Sequence, residues 1–264
     1  MKTYFVFSDV HGFYDELMES LNKAGFNRDN PEHIIISCGD LMDRGPKPRE
    51  CLQFVNEMHE TGRAILIKGN HETLLEEMLE RSYPYGYDYS NGTFTTMLDM
   101  FPRVTSADAV WEGMKRDKDY KKYCKTLIDF YESDRYIFTH GFIPVVFSDI
   151  IDDHGYHLDC NRYREDWRDT RGSYKVWDEY PNGARWLNGI KLGHDIKIPS
   201  KTIVVGHYHT SWGHKHYEGL EEFPDIGTPN WEKSFSIYQE EGLIALDACT
   251  VYSGFVNVLK LEEI

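Results

Sequence analysis

The chain lacks paired cysteines. Its five, Cys38, Cys51, Cys124, Cys160 and Cys249, are scattered and odd in number, and no two form a C-x-x-C pair. That pattern argues against a cysteine zinc site and against a disulfide framework, so a reducing, cytoplasmic setting is expected. Long apolar runs are missing too. The first, Tyr4-Phe5-Val6-Phe7, has the length of a strand and stops at Ser8-Asp9, too short for a secretory leader or a membrane span. Positive charge is scarce: 29 Lys and Arg stand against 44 Asp and Glu, a net charge of -15. Such a surface repels polynucleotide backbones and anionic bilayers, which excludes non-specific nucleic-acid binding. It leaves room for a small phosphorylated substrate at a site with its own local cations. What remains is 264 residues at 41% hydrophobic, enough for a core.

The organising stretch is Cys38-Gly39-Asp40-Leu41-Met42-Asp43-Arg44-Gly45. Ile34-Ile35-Ile36 leads into it as a short, β-branched strand, so Asp40 emerges at a strand's carboxyl end, where open α/β sheets bind ligands. The same grammar occurs before and after. Tyr4–Phe7 reads as a strand ending in Ser8-Asp9-Val10-His11-Gly12, with a helix over 14–24. Asp9 and His11 are two apart, and on an extended segment would point the same way. A helix over 48–60 follows Gly45, with Pro48 in its first turn. Ala64–Ile67 is a third strand, ending in Lys68-Gly69-Asn70-His71-Glu72, and a helix runs on to about Arg81. Three successive strand–helix units thus place Asp9, His11, Asp40, Asp43, Asn70 and His71 on one rim.

Residues 82–134 break this rhythm and read as an inserted, largely helical cap on a single domain spanning 1–264, with a helical run from Trp111 to Phe130. Tyr83, Tyr85, Tyr87 and Tyr89 alternate there with Pro84, Gly86 and Asp88. They read either as loop packing or as a surface that stacks a substrate ring. Tyr136–Phe138 is a strand ending in Thr139-His140-Gly141. The polar stretch 148–180 mixes Arg162, Arg164, Arg168 and Arg171 with Asp152, Asp153, Asp159, Asp166 and Asp169, and reads as a solvated, salt-bridged loop. Thr202–Val205 ends in Gly206-His207-Tyr208-His209-Thr210, repeating the spacing of Asp9 and His11. Short strands at Phe235–Tyr238, Leu243–Leu246 and Phe255–Leu261 close the chain. His33, His59, His154, His157, His194, His214 and His216 lie outside these motifs and read as structural or surface residues.

Asp9, His11, Asp40, Asn70, His140, His207 and His209 form a set of oxygen and imidazole donors without thiolate. Such a set suits borderline divalent metals, namely manganese, iron or zinc. A carboxylate shared by two ions is the signature of two-metal hydrolytic sites. These motifs, Asp9-Val10-His11-Gly12, GDLMDRG at 39–45, GNHE at 69–72, His140-Gly141 and GHYHT at 206–210, resemble the calcineurin-like metallophosphoesterase superfamily. The DRG and GNHE forms are similar to its phosphoprotein-phosphatase branch, which includes bacterial and phage serine/threonine phosphatases and diadenosine-tetraphosphatase-like enzymes. The motifs run in family order from residue 9 to 210.

The resemblance implies a four-layer αββα sandwich of two mixed sheets. It implies two divalent cations, manganese first and iron or zinc as alternatives. Asp9 and His11 would hold the first cation, Asp40 would bridge, and Asn70, His140 and His207 would complete the second, with His209 returning to the first. His71, held by Asp43, would be the general acid, and Arg44 would grip phosphoryl oxygens. Arg185, beside Trp186, would be the second phosphate arginine, with Arg168, beside Trp167, as the alternative. The implied reaction is phosphomonoester hydrolysis by a metal-bridging hydroxide, on a phosphoprotein or a small phosphorylated molecule. The alternatives are a phosphodiesterase or dinucleoside polyphosphate hydrolase, or a non-catalytic scaffold. Phe142 after His140-Gly141 and the doubled histidine of GHYHT depart from eukaryotic protein phosphatases.

Overall fold

A computed structural model describes residues 2–148, 160–262 and 264. Asp152, Asp153, His154, His157 and Asp159 lie outside the described residues. In chain order the strands are β1 (Thr3–Phe7), β2 (His33–Ser37), β3 (Ala64–Leu66), β4 (Phe130–Glu132), β5 (Tyr136–Thr139), β6 (Val145–Val146), β7 (Arg162–Tyr163), β8 (Thr202–Val205), β9 (Tyr238–Glu240), β10 (Leu243–Ala245) and β11 (Leu259–Glu262). The helices are α1 (Tyr14–Lys23), α2 (Pro48–Glu60), α3 (Asn70–Arg81), α4 (Gly86–Ser90), α5 (Thr93–Met100), α6 (Ala107–Arg116), α7 (Lys118–Thr126), α8 (Tyr174–Trp177), α9 (Gly189–Asp195), α10 (Thr210–Glu218), α11 (Trp231–Phe235) and α12 (Thr250–Ser253).

Two mixed sheets carry the fold, with strand orders β11-β1-β2-β3 and β4-β5-β8-β10-β9; β6 and β7 pair separately. In the first, β1, β2 and β3 are parallel and β11 is antiparallel. In the second, β5, β8 and β10 are parallel, flanked by antiparallel β4 and β9. Side-chain alternation explains the layers. Phe5, Phe7 and Ile35 face outward onto Leu17, Leu21, Leu52 and Val55 of α1 and α2. Val6 and Ile36, one position along, face inward and meet Phe138, Val204 and Ile244 of the second sheet. Ile137, Ile203, Val205 and Leu243 then face outward again, onto Ile190 and Leu192 of α9. A helix–sheet–sheet–helix sandwich follows from period-two strands that are apolar on both faces.

The stretch 82–134 departs from a purely helical insert. Helices α5, α6 and α7 join the outer core of the first sheet through Met97, Met100, Trp111, Met114 and Tyr123. Phe130, expected to end a helix, instead begins β4 at the edge of the second sheet, where it pairs with Thr139. The aromatic content of Phe130-Tyr131 signals strand more strongly than the surrounding charge signals helix.

Candidate metal centre

The carboxyl ends of the parallel strands of both sheets converge on Asp40. Two groups of potential ligands share it: His11, Asp40 and His71, and Asp40, His140 and His207, with ligand atoms in each group within 4.8 Å of one another. His140 Nε2 lies 3.3 Å from Asp40 Oδ1, and His11 Nε2 lies 3.7 Å from Asp40 Oδ2. Asp9 Oδ1 is 4.0 Å from His11 Nε2, and Asn70 Oδ1 is 2.7 Å from His140 Nε2. His207 joins through its backbone, whose N–H donates to Asp9 Oδ2 at 3.0 Å. Backbone carbonyls fix the rings, because a carbonyl can only accept. His11 Nδ1 donates to Met42 (3.1 Å), His140 Nδ1 to Cys38 (2.8 Å) and His207 Nε2 to Trp186 (3.1 Å). The remaining nitrogen of His11 and of His207 therefore keeps its lone pair for a ligand, whereas His140 Nε2, facing the Asn70 and Asp40 oxygens, carries a proton that a bound cation would displace.

The local backbone is strained where the chemistry is. Among the described residues, nine non-glycine positions have positive φ, and six are Asp9, His11, Asp40, Asp43, Arg44 and His207. Each such conformation costs about 1–3 kcal/mol and persists only where its surroundings enforce it. Glu72 is one enforcer. Buried at the third position of α3, it accepts from the backbone N–H of Asp40 (3.0 Å), Leu41 (3.0 Å) and Gly69 (2.8 Å), and from Tyr123 Oη (3.0 Å). It ties the loop after β2 to the start of α3. Gly69 permits that approach, since a Cβ there would overlap Asp40 Oδ1.

The positive φ values also correct the argument from spacing. Asp9 and His11 do not lie on an extended segment; both are left-handed, at 54° and 50°, and reach the cluster through a tight turn. His207 is left-handed too, at φ 65°. His209 Nδ1 contacts Ser211 Oγ at 2.8 Å, and its Nε2 lies 3.7 Å from Glu222. His209, expected on the first cation, is outside both ligand groups.

Charge is unevenly distributed. Burial opposes protonation of His140, but Asp40 and Asp9 outweigh it and raise its pKa to about 9. Burial and the neighbouring His140 push His207 down to about 3. Burial would raise Asp40, yet His140 and His71 hold it well below the usual carboxylate range. Buried oxygen donors, inward lone pairs and a shared carboxylate fit two divalent cations.

Residues 2–230 match the calcineurin-like phosphoesterase family. The chain belongs to that family. Among its relatives are an asymmetrical bis(5'-nucleosyl)-tetraphosphatase, PrpE, of Bacillus subtilis, 39% identical over 74 residues, and a symmetrical bis(5'-nucleosyl)-tetraphosphatase of Buchnera aphidicola, 39% identical over 75 residues. These matches cover 26% and 28% of this chain but only 30% and 25% of the relatives' lengths. The cold-active protein-tyrosine phosphatase of a psychrophilic Shewanella shares the fold, at 16% identity and a TM-score of 0.56, over 99% of this chain and 76% of that one.

In this family member, Arg44 spans the rim of the site. Its Nη1 lies 3.0 Å from His11 Nε2 and its Nη2 3.1 Å from His71 Nε2. His71 Nδ1 lies 2.7 Å from Asp43 Oδ2, which also accepts from Thr93 Oγ1 at 2.8 Å. Arg185, expected as the second phosphate arginine, has other partners in this structure. Arg185 is buried in a carboxylate cage, with Nη2 on Asp129, Nη1 2.7 Å from Asp178 and Nε donating to the Lys68 carbonyl at 2.9 Å. Arg168, the alternative, makes a bidentate pair with Glu132 at 2.7 Å on the surface. The arrangement gives Arg185 a structural task, bracing the carbonyl that precedes Gly69-Asn70. Arg185→Met is expected to destabilise the fold by about 3–5 kcal/mol, since two carboxylates lose their buried partner. Arg168→Ala should cost under about 1 kcal/mol. Urea unfolding of the two variants checks both values.

Asp247 was not among the residues singled out. It follows β10, its Oδ1 accepts from Cys249 N–H at 2.7 Å, and Thr250 Oγ1 beside it donates to the Asp9 carbonyl at 3.1 Å. Burial raises its pKa to about 7. The strand-end rule that located Asp9 applies equally to Leu246-Asp247.

Proposed function

We propose that the protein hydrolyses phosphoric esters at this centre, with phosphomonoesters as the substrate class. The observation that carries the reading is Asp40 shared between two ligand groups, with Arg44 and His71 on the same rim. Asp9, His11, Asp40, Asn70, His140 and His207 would hold the cations. Two divalent cations, when bound, supply Lewis-acid neutralisation of phosphate and lower the pKa of water. Arg44 presents a planar fork to the outer phosphoryl oxygens, where charge persists in the transition state. The single lone pair of His11 Nε2 serves either Arg44 or a cation. With His11 Nε2 holding a cation, Arg44 Nη1 would be free to donate to substrate. His71 gives its proton to the leaving oxygen, and Asp43 holds the imidazole in the orientation that allows this.

A second reading, cleavage of a dinucleoside polyphosphate, is supported by the names of the matched relatives. Manganese-loaded protein is expected to hydrolyse p-nitrophenyl phosphate, and chelation to stop it. Full activity in metal-stripped protein would contradict the proposal. Kinetics on a phosphopeptide, a dinucleoside tetraphosphate and a cyclic nucleotide separate the substrate classes. Among the described residues, no helix is long and apolar enough to cross a membrane.

A further inference from the structure

Thirteen large hydrophobic or aromatic side chains are exposed among the described residues, and four of them are Tyr83, Tyr85, Tyr87 and Tyr89. Their exposures, 41–55%, exclude a role as core. Nor are they loose. Tyr83 and Tyr85 meet edge to face with centroids 5.3 Å apart, and Tyr85 and Tyr87 lie 5.6 Å apart. The Arg81 guanidinium sits 4.5 Å from the Tyr85 ring and 5.4 Å from the Tyr87 ring. Fully buried Asp88 pins this arrangement, pairing with Arg81 Nη2 at 2.7 Å and accepting from the Tyr85 N–H at 2.6 Å. The result is a preorganised surface of Tyr83, Tyr85 and Tyr87 on a fixed cation, with Tyr89 two residues on and packed against Phe94, centroids 4.9 Å apart.

The chain that carries these tyrosines runs directly to the phosphate side of the site. The Gly92 N–H donates to the Tyr89 carbonyl at 3.2 Å. Gly92 lies so close to Arg44 that a Cβ would come within 2.6 Å of the Arg44 nitrogen. Thr93, next in sequence, donates to Asp43. Three residues after Tyr89, the chain thus touches the two residues proposed to grip phosphate and orient the general acid.

We propose that the Tyr83–Tyr89 surface is a subsite that stacks the nucleobase of a nucleoside polyphosphate whose phosphates lie at Arg44. The inference rests on the proposed phosphate-binding role of Arg44. Tyrosine rings offer a flat, sequence-tolerant face to any base, and the arginine beneath adds a cation–π contribution. In a chain of net charge -15, this neutral, aromatic approach also suits an anionic ligand better than the carboxylate-rich surface elsewhere.

The test uses full-length, manganese-loaded protein and two non-hydrolysable probes, β,γ-methylene-ATP and methylenediphosphonate, titrated calorimetrically. Wild-type protein should bind the nucleotide roughly 5- to 150-fold more tightly than the ringless probe, the range for one stacked base. Tyr85→Leu/Tyr89→Leu should lose that advantage and Tyr85→Phe/Tyr89→Phe should keep it, with methylenediphosphonate binding unchanged in both. Equal binding of the two probes by wild-type protein, or an advantage that survives the leucine substitutions, overturns the subsite alone. Failure of both probes to bind overturns the phosphate-site reading, and the subsite with it.

Discussion

Asp40→Asn is expected to abolish paired cation binding and to lower phosphomonoester turnover by on the order of 10³-fold or more, the scale of several kcal/mol of lost charge stabilisation. Asp40 is the one side chain common to both ligand groups. Its Oδ1 also accepts from the His71 N–H at 3.0 Å, and an asparagine oxygen preserves that bond. Shape and fold should therefore survive while the bridging charge is lost. Removing the charge also removes the larger of the two carboxylate influences that hold His140 protonated up to about 9. Circular dichroism and kinetics on p-nitrophenyl phosphate check the prediction; near-normal turnover would show that Asp40 bridges nothing.

His71→Asn is expected to retain cations and slow turnover by ~10²–10⁴, the usual range for a lost general acid. Burial lowers the pKa of His71, but Asp40 and Asp43 outweigh it and raise it overall. The proton needed by the leaving oxygen is thus present below the raised pKa and lost as pH rises through it. Asp43→Asn should move the alkaline limb of the rate profile to lower pH, because the carboxylate that favours imidazolium is gone. The deficit of His71→Asn should shrink with p-nitrophenyl phosphate, whose leaving group needs little protonation, and stay large with an alkyl ester. Loss of cations in His71→Asn would make it a ligand, as its place beside His11 and Asp40 permits.

The layers of the fold were legible because the strands are short, β-branched and apolar on both faces, as in Ile34-Ile35-Ile36. The convergence of Asp9, Asp40, Asn70 and His140 was legible because each follows such a strand. What spacing could not reveal was the backbone of the turns. A two-residue interval means a shared direction only on extended chain, and φ is positive at Asp9, His11 and His207. The rule consequently reached His11 by a conformation it does not have, and it did not foresee the contacts of His209 with Ser211 and Glu222. Arg185 was misread because proximity to a tryptophan says nothing of which carboxylates fold back onto it. Asp129 and Asp178 reach it from separate segments. Glu72, in contrast, carries a local signal: a glutamate three residues after the glycine that precedes a helix is placed to accept backbone N–H groups. Phe130 shows tertiary pairing overriding a charged neighbourhood.

The central claim is a two-cation centre bridged by Asp40, and cation stoichiometry tests it most directly. Chelator-stripped protein should be titrated with manganese by calorimetry, with metal content confirmed by elemental analysis. The account predicts about two manganese ions per wild-type chain, the number for a bridged site, and loss of the pair in Asp40→Asn. One ion or none in wild-type protein, or two retained in Asp40→Asn, would contradict it.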